Sequence, residues 1–509
     1  MAQRAIERED TASASTRASA RVEVCSAIAV AVHELLSAVK TVHNDTLGIN
    51  RFPPEVLGAI FFQLTVNDIR PLRNVCLASA VCRRWRDVTL STPQLWTRIE
   101  DPGQDLLPHE LLRSWLERSG ALPISVVCAG GTDCILLNDH MSRIRRLVLT
   151  KWWTGWEYHL MQMIQLSAPV LETLWMPEYI TLSSDIFRSY APKLRTLAVR
   201  LDMFDVTNSY SALRGITRLH LLSHPDDGQY SPEPLQRDII LHVLSELPNL
   251  AILVGVAPMN SLTASMSSQE LMDLRHHGLR VVQATDSPLS GEGMMESLHT
   301  LRYDRIRDVF ISRPSSFTME SLFSDEWHDP AYTHVTLDRI HGQVVLRTQD
   351  GFTRALTECK ALRRSTSNLH HLATSLMSLT VAGRLYQDAR FLPAFPVLRT
   401  LTFAVHSSDF PPSAMRLNWS CPCLKTLCLT SIRDRESISS GAVETFISTH
   451  LDFADERLAE LRLDSVEVTS DTDGRADTTD HVTALSLLVE KFTSTSAILE
   501  PIKVERYGP

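Results

Sequence analysis

The chain has 509 residues, more than a single hydrophobic core of about 250 to 300 residues holds, so two units or a stacked array are expected. Lys plus Arg total 50 against 59 Asp plus Glu, a formal charge of −9, which gives no electrostatic reason to bind nucleic acid; none is expected as a partner. With 44% hydrophobic and 21% charged residues, most of the chain is expected to fold. Residues 1–21 are polar, rich in Ala, Ser and Thr and without an apolar period, and are expected to be disordered or loosely helical. Across 22–45 the residues Val24, Ile28, Val32, Leu35, Leu36 and Val39 recur at helical spacing. That N-terminal helix needs a cover, which is either the rest of the chain or a helix–helix seam; three heptads do not choose between them.

Residues 49–64 open with the paired prolines Pro53 and Pro54, which suit the first turn of a helix, and Glu55 follows where the positive end of the helix dipole favours it. Leu57, Ile60, Phe61 and Leu64 then sit at i, i+3, i+4 and i+7, one apolar face, with Val56 and Phe62 adding apolar area beside it. A linker through Asn67, Asp68 and Pro71 leads to a second helical stretch, 72–88, with Leu77, Val81, Trp85 and Val88 as its stripe. The run Thr92-Pro-Gln-Leu-Trp96 reads as a cap, a first-turn proline and an aromatic plug. Fewer than fifty residues cannot hide all of this, so a partner surface is expected here.

Phe52-Pro-Pro-Glu-Val-Leu-Gly-Ala-Ile-Phe61, Val81-Cys-Arg-Arg-Trp85 and Thr92-Pro-Gln-Leu-Trp96, in that order, resemble an F-box over 49–96, less than a tenth of the chain. Phe52 stands where the family more often has Leu, and the stretch 77–80 is slightly longer than in many members; both keep the apolar character. The resemblance implies an all-α three-helix motif that docks on a Skp-type adaptor and, through it, on a cullin ligase core. Carried over by position, the adaptor-binding residues are Pro53, Pro54, Leu57, Ile60, Phe61, Val81, Cys82 and Trp85. For each of them the competing role is membership of the small domain's own core, Trp85 and Val81 above all.

From 105 onwards the expectation is an irregular leucine-rich-repeat-like α/β solenoid reaching 509, so that the chain as a whole is α/β. Residues 109–120 form an amphipathic helix with Leu112, Trp115, Leu116 and Ser119 on one side and Gly120 as its stop, followed by a strand at 124–128. The pattern L-x-x-L-x-L, or its Ile variant, then starts at Ile144, Leu171, Leu194, Ile216, Leu250, Leu398, Leu424 and Leu458; apart from the gap between Leu250 and Leu398, the spacings lie within or somewhat above the about 20 to 29 residues of a leucine-rich repeat. Pro169, Pro192, Pro248, Pro396 and Pro422 each stand two residues ahead of the first Leu, where a proline ends the preceding helix. The region 257–390 is irregular, with candidate strands at 299–303, 333–337 and 375–381. The acidic segment 469–480 is expected to be a flexible loop, followed by a helix at 481–492.

Chemistry is looked for without result. There is no phosphate-cradling glycine loop, no Gly-x-Ser-x-Gly elbow and no His-Glu-x-x-His helix, so the protein is not expected to be an enzyme and no cofactor is implied. Cys421 and Cys423 flank one proline and lack the convergent set a zinc site needs; no metal is expected. The adjacent pairs His276–His277 and His370–His371 read as surface histidines, and Trp152, Trp153 and Trp156 as a rim cluster that either packs on the array or anchors a partner. Nine scattered cysteines point to a reducing compartment, cytoplasm or nucleus. No uninterrupted apolar run approaches the about 18 residues of a membrane span, so no membrane association is expected. The functional expectation is a substrate-recruiting subunit of a Skp–cullin–F-box ubiquitin ligase whose repeats bind a protein substrate. The alternative is a non-catalytic repeat scaffold in which the F-box-like helices only cap the solenoid.

Overall fold

A computed structural model of the chain describes residues 2–66, 71–100, 109–128, 133–149, 157–176, 181–222, 236–258, 278–286, 292–323, 332–338, 342–359, 369–382, 393–405, 410, 419–431, 436–469 and 485–495. The residues divide into two compact units, Met1–Met163 and Ile164–Pro509. The tryptophan cluster at 152–156, His276, His277 and the segment 470–480 lie outside the described residues.

In the first unit, helix α1 (Ala2–Thr46) takes in both the N-terminal segment expected to be loose and the helix at 22–45. From Arg21 to Thr46 it is, by length and composition, long and apolar enough to cross a membrane. Ala and Val carry that composition around isolated polar residues, so no single run reveals it. His33 and Glu34 stand at the middle of the stretch, where an ionised side chain costs about 2.5 to 3.5 kcal/mol against about 0.3 to 0.6 favourable for each Val or Leu.

Helices α2 (Pro54–Val66), α3 (Pro71–Val81) and α4 (Arg83–Leu90) follow. The stretch expected as one helix over 72–88 is broken at Cys82, which is extended (φ −155°, ψ 170°) and starts α4 afresh. That break resets the helical phase, so Leu77 and Val81 do not share a face with Trp85 and Val88. Strand β1 (Arg98–Glu100) comes next, then α5 (His109–Arg118), β2 (Ile124–Cys128), α6 (Asp133–Asn138), β3 (Ile144–Leu149) and α7 (Glu157–Ile164). Strands β1, β2 and β3 pair in parallel, Ile99 beside Val126 and Val126 beside Leu147. Leu112, Trp115, Leu116 and Ser119 of the α5 segment are all buried, and Gly120 (φ +58°) ends it as the sequence requires. Arg143 ties the corner by donating to the carbonyls of Leu116 (2.8 Å) and Leu122 (3.0 Å).

The second unit is built on parallel strands. β4 (Thr173–Trp175), β5 (Thr196–Val199) and β6 (Arg218–Leu221) are followed by α8 (Arg237–Glu246), β7 (Ile252–Val256), β8 (Val281–Thr285), α9 (Gly293–Thr300) and β9 (Asp308–Ser312). From β5 on, each of these strands pairs in parallel with the one before it. Leu174, Leu197, Leu219 and Leu253 stand side by side in that register and are fully buried, because alternate residues of a strand share a face. Gly255 occupies the place of the last leucine of its unit. At φ +83° it forms a bulge so close to the Leu221 carbonyl that no side chain fits, and Val256 fills the core instead.

Helix α10 (Ser316–Phe323) leads into β10 (Tyr332–Asp338), β11 (Gln343–Thr348) and β12 (Thr353–Thr357). These three form an antiparallel meander inserted in reverse: β12 pairs with β9, and β10 pairs with β13 (Ser378–Ala382). Parallel pairing then continues through β14 (Thr400–Val405). After β15 (Trp419–Ser420) come β16 (Thr426–Ser431), β17 (Glu436–Ser439), α11 (Ser440–His450), β18 (Leu451–Asp452), β19 (Leu458–Asp464), β20 (Val466–Thr469) and β21 (Val489–Thr495). β16, β19 and β21 extend the main sheet, while β15 with β18 and β17 with β20 make two small parallel ladders. The segment 299–303, expected as a strand, is helical in α9 and the 3-10 turn after it. Over 489–492 the helix expected at 481–492 is overturned as well, since Val489–Thr495 pairs with β19; residues 481–484 lie outside the described residues.

Of the five prolines ahead of the leucine patterns, Pro248 follows directly on the C-cap of α8, as a helix stop does, and all five share a second role. In each case the residue before the proline is buried, and its carbonyl accepts the N–H of the first leucine three positions on: Ala168 to Leu171, Ala191 to Leu194, Leu247 to Leu250, Phe395 to Leu398 and Cys421 to Leu424, at 2.9 to 3.3 Å. This is a β-turn with proline at its second position, where the fixed φ suits the turn. Arg354 stands in the inward row of β12, between Val309 and Leu346. It is 4% exposed and donates to the carbonyls of Tyr303 (2.7 Å) and Ile306 (2.9 Å).

Candidate functional site

Helices α2, α3 and α4 sort their apolar residues onto two sides. Inward, Leu57 and Phe61 are 0% and 1% exposed, and Phe61 packs its ring 4.8 Å from that of Trp85. Leu72, Val75, Ala78, Val88, Leu95 and Trp96 complete the core, and the Trp96 indole donates to the Thr89 carbonyl at 2.9 Å. Leu57 and Phe61 are thus held within the motif, a correction to their expected place on the adaptor-facing surface. Half-buried Trp85 is anchored by its indole N–H to Asn50 Oδ1 (2.6 Å), while Arg84 donates to the Phe52 carbonyl (2.7 Å). Cys82 is half-buried at the helix break.

Outward, Pro53 and Pro54 are exposed, Ile60 is half-buried, and Val81 is 58% exposed. The structure splits the expected stripes, leaving Ile60, Leu64, Leu77 and Val81 outward, and adds Val56 to them. Val56, Ile60 and Leu64 follow at i, i+4 and i+8 along the outer side of α2, and Leu77 precedes Val81 by one turn on α3. The signal for them lies in the spacing: Leu57, Phe61 and Thr65 are also four apart, and only one of two such rows can face a core. Outward-facing large apolar side chains on consecutive short helices mark an interaction surface.

The second unit offers a different surface. Residues opposite the leucine rows form a row across the sheet: Ala198, His220, Val254, Gln283 and Phe310 on one side of the meander, then Thr336, Thr380, Thr402, Cys428, Arg462 and Thr493 on the other. The first half is aromatic and apolar, with Trp175 and His220 rings 5.6 Å apart; the second is rich in hydroxyls and charge. Burial, with the Arg218 charge second, pushes the His220 imidazole down to about 4, so it is neutral at physiological pH. Asp464 accepts from Arg462 (2.7 Å), Cys428 (3.2 Å) and Thr495 (2.5 Å); burial pushes its carboxyl up, but these bonds outweigh it and hold it below its usual value.

Burial pushes the thiols of Cys359, Cys421 and Cys428 up to about 12, which keeps them protonated. Among the described residues no three His, Cys, Asp or Glu side chains gather as a metal set. His370 and His371 stack at 3.8 Å.

The F-box-like family model matches residues 49–100, the segment whose helices divide their apolar residues in this way. A domain of this kind points to ubiquitin-ligase substrate recognition in general, and F-box domains commonly bind Skp-type adaptors. No curated protein matches the chain.

Proposed function

We propose that the protein recruits a protein substrate to a Skp–cullin–F-box ubiquitin ligase, with residues 49–96 docking the adaptor. The observation that carries this reading is the outward apolar set Val56, Ile60, Leu64, Leu77 and Val81, on helices whose core is already complete without it. Pro53 and Pro54, exposed at the start of α2, extend the docking side, and the half-buried Cys82 and Trp85 fix the junction between α3 and α4. The second unit is an irregular leucine-rich-repeat-like array: its recurring buried leucines, proline turns and parallel register support that assignment. The open members of its row, Val254, Gln283, Phe310, Thr336, Thr380, Thr402, Arg462 and Thr493, present the substrate surface. The protein supplies no catalytic group; it acts by proximity, raising the local concentration of a substrate lysine beside a ubiquitin-charged enzyme.

The test is a pull-down of a Skp-type adaptor on the full chain, comparing wild type with Val56→Asp and Val81→Asp. Loss of the adaptor in both variants, at unchanged thermal unfolding, is the expected result. Failure of wild type to retain the adaptor, or indifference of binding to both substitutions, sinks the proposal.

A further inference from the structure

Helix α1 carries an apolar seam that no other described residue of its unit covers. Cys25, Ile28, Val32, Leu35, Val39 and Val42 alternate at spacings of three and four, the period of a coiled-coil interface, with β-branched residues at most positions. All six are exposed: Ile28 by 57%, Leu35 by 68%, Val42 by 66%. Two hydrogen bonds that tie α1 to later residues of its unit lie on its other side. Ser37 accepts from Arg83 (2.9 Å), and the Asn44 carbonyl accepts from Asn50 (2.7 Å). These two residues are one heptad apart and face away from the seam, so the helix is docked by its polar side with its apolar side outward.

We infer that this seam is covered by a second copy of the chain, in an antiparallel pair of α1 helices. Antiparallel alignment sets Cys25 opposite Val42, Ile28 opposite Val39 and Val32 opposite Leu35, so the seam is its own complement over its full length. The same alignment carries Arg21 of one helix to the Asp45–Thr46 end of the other, an attractive pairing, whereas parallel alignment stacks Arg21 on Arg21. A bilayer is the poorer occupant, because it places His33 and Glu34 at mid-depth. At about 60 to 120 Å² per Val, Leu or Ile side chain, the seam and its flanks bury roughly 400 to 600 Å² per copy. That falls below the about 800 Å² per partner of a standard interface and makes the dimer reversible, populated at micromolar concentration. The inference rests on α1 alone and is independent of the adaptor reading.

Sedimentation of the full chain from about 1 to 100 µM reads it out. The expected result is a mass rising towards twice 57.2 kDa in wild type and in Val30→Glu, and a monomer throughout in Leu35→Glu. Val30 is as apolar and 56% exposed, but it lies off the seam, so it controls for loss of apolar character. Val42→Cys, mildly oxidised, is expected to give a covalent dimer that disappears in Val42→Cys with Cys25→Ser. A wild type monomeric across the range, or a dimer indifferent to Leu35→Glu, overturns the proposal. So does flotation with phosphatidylcholine–phosphatidylserine vesicles that Leu35→Glu and Val30→Glu weaken alike, which assigns the helix to the bilayer. A Cys25–Cys25 crosslink in wild type overturns the antiparallel arrangement. Adaptor capture by Leu35→Glu keeps a failure here distinct from a failure of the adaptor reading.

Discussion

The three short helices of the first unit and the long sheet of the second treat apolar residues in opposite ways. In α2 and α3 two parallel apolar rows run along each helix, and only one is consumed by the core: Leu57 and Phe61 are buried while Val56 and Leu64 are exposed, and Leu72 and Val75 are buried while Leu77 and Val81 are exposed. In the sheet, the leucine rows are buried almost completely, and the opposite face is made of threonine, isolated aromatics and paired charges. The difference teaches where to look for binding. Surplus apolar surface marks the helices as a docking element, whereas the sheet spends its apolar residues on itself and has shape, hydroxyls and a few aromatics left to offer.

The sharpest way to break this contrast is to remove an inward group from the sheet. Arg354→Ala removes the donor to the Ile306 carbonyl and one of the two donors to the Tyr303 carbonyl, which keeps the Ile306 N–H, and with the lost packing of its stem is expected to cost about 3 kcal/mol, read by urea unfolding. Leu427→Ala, in the fully buried row, should cost about 2 to 5 kcal/mol in the same measurement. If either falls below about 1 kcal/mol, the sheet core is not the packed structure described. Acid tests a buried group of the opposite row. His220 has its folded value lowered to about 4 from 6.5, so stability is complete above pH 6.5 and is lost progressively as pH falls towards 4, because the unfolded chain takes the proton first. That linkage amounts to about 3 kcal/mol, and His220→Gln should flatten the urea midpoint between pH 7.5 and 4.5. The smallest effect belongs to the outward helix rows. Leu77→Ala should change stability by no more than about 0.5 kcal/mol while weakening adaptor capture, and a larger loss would place Leu77 in a core.

Much of this is legible in the sequence because period-2 and turn signals are local. Every L-x-x-L-x-L core is a strand with its first and fourth apolar residues buried, and Gly120 marks the end of α5. The sequence misleads where a local signal depends on distant partners. A single apolar stripe runs along 72–88 on paper, yet Cys82 breaks it; nothing in the side chain of Cys82 announces an extended backbone. Residues 481–492 carry a helical apolar period, but the open edge of β19 claims 489–495 as a strand, and pairing outweighs local preference. The five prolines do mark the start of their leucine patterns, all as turn residues and Pro248 as a helix stop too, since a proline that cannot continue a helix also fits the second position of a turn. The adaptor-facing residues are half legible: the motif fixes the helices, but whether Leu57 or Val56 faces out depends on which of two rows packs against α3 and α4.

The reversed meander also bears on how the chain is made. From β4 to β9 each new strand finds its neighbour already in place, so the sheet can grow as the polypeptide emerges. At β9 that order fails, because the strand that covers its free edge is β12, about 40 residues later, and β10 and β11 must be finished first. At about 5 to 20 residues per second, β9 waits several seconds with its backbone groups unpaired. That interval is when a nascent chain is most open to a chaperone or to pairing with another copy, and synthesis halted between Ser312 and Thr353 would leave a sheet with an open growing edge.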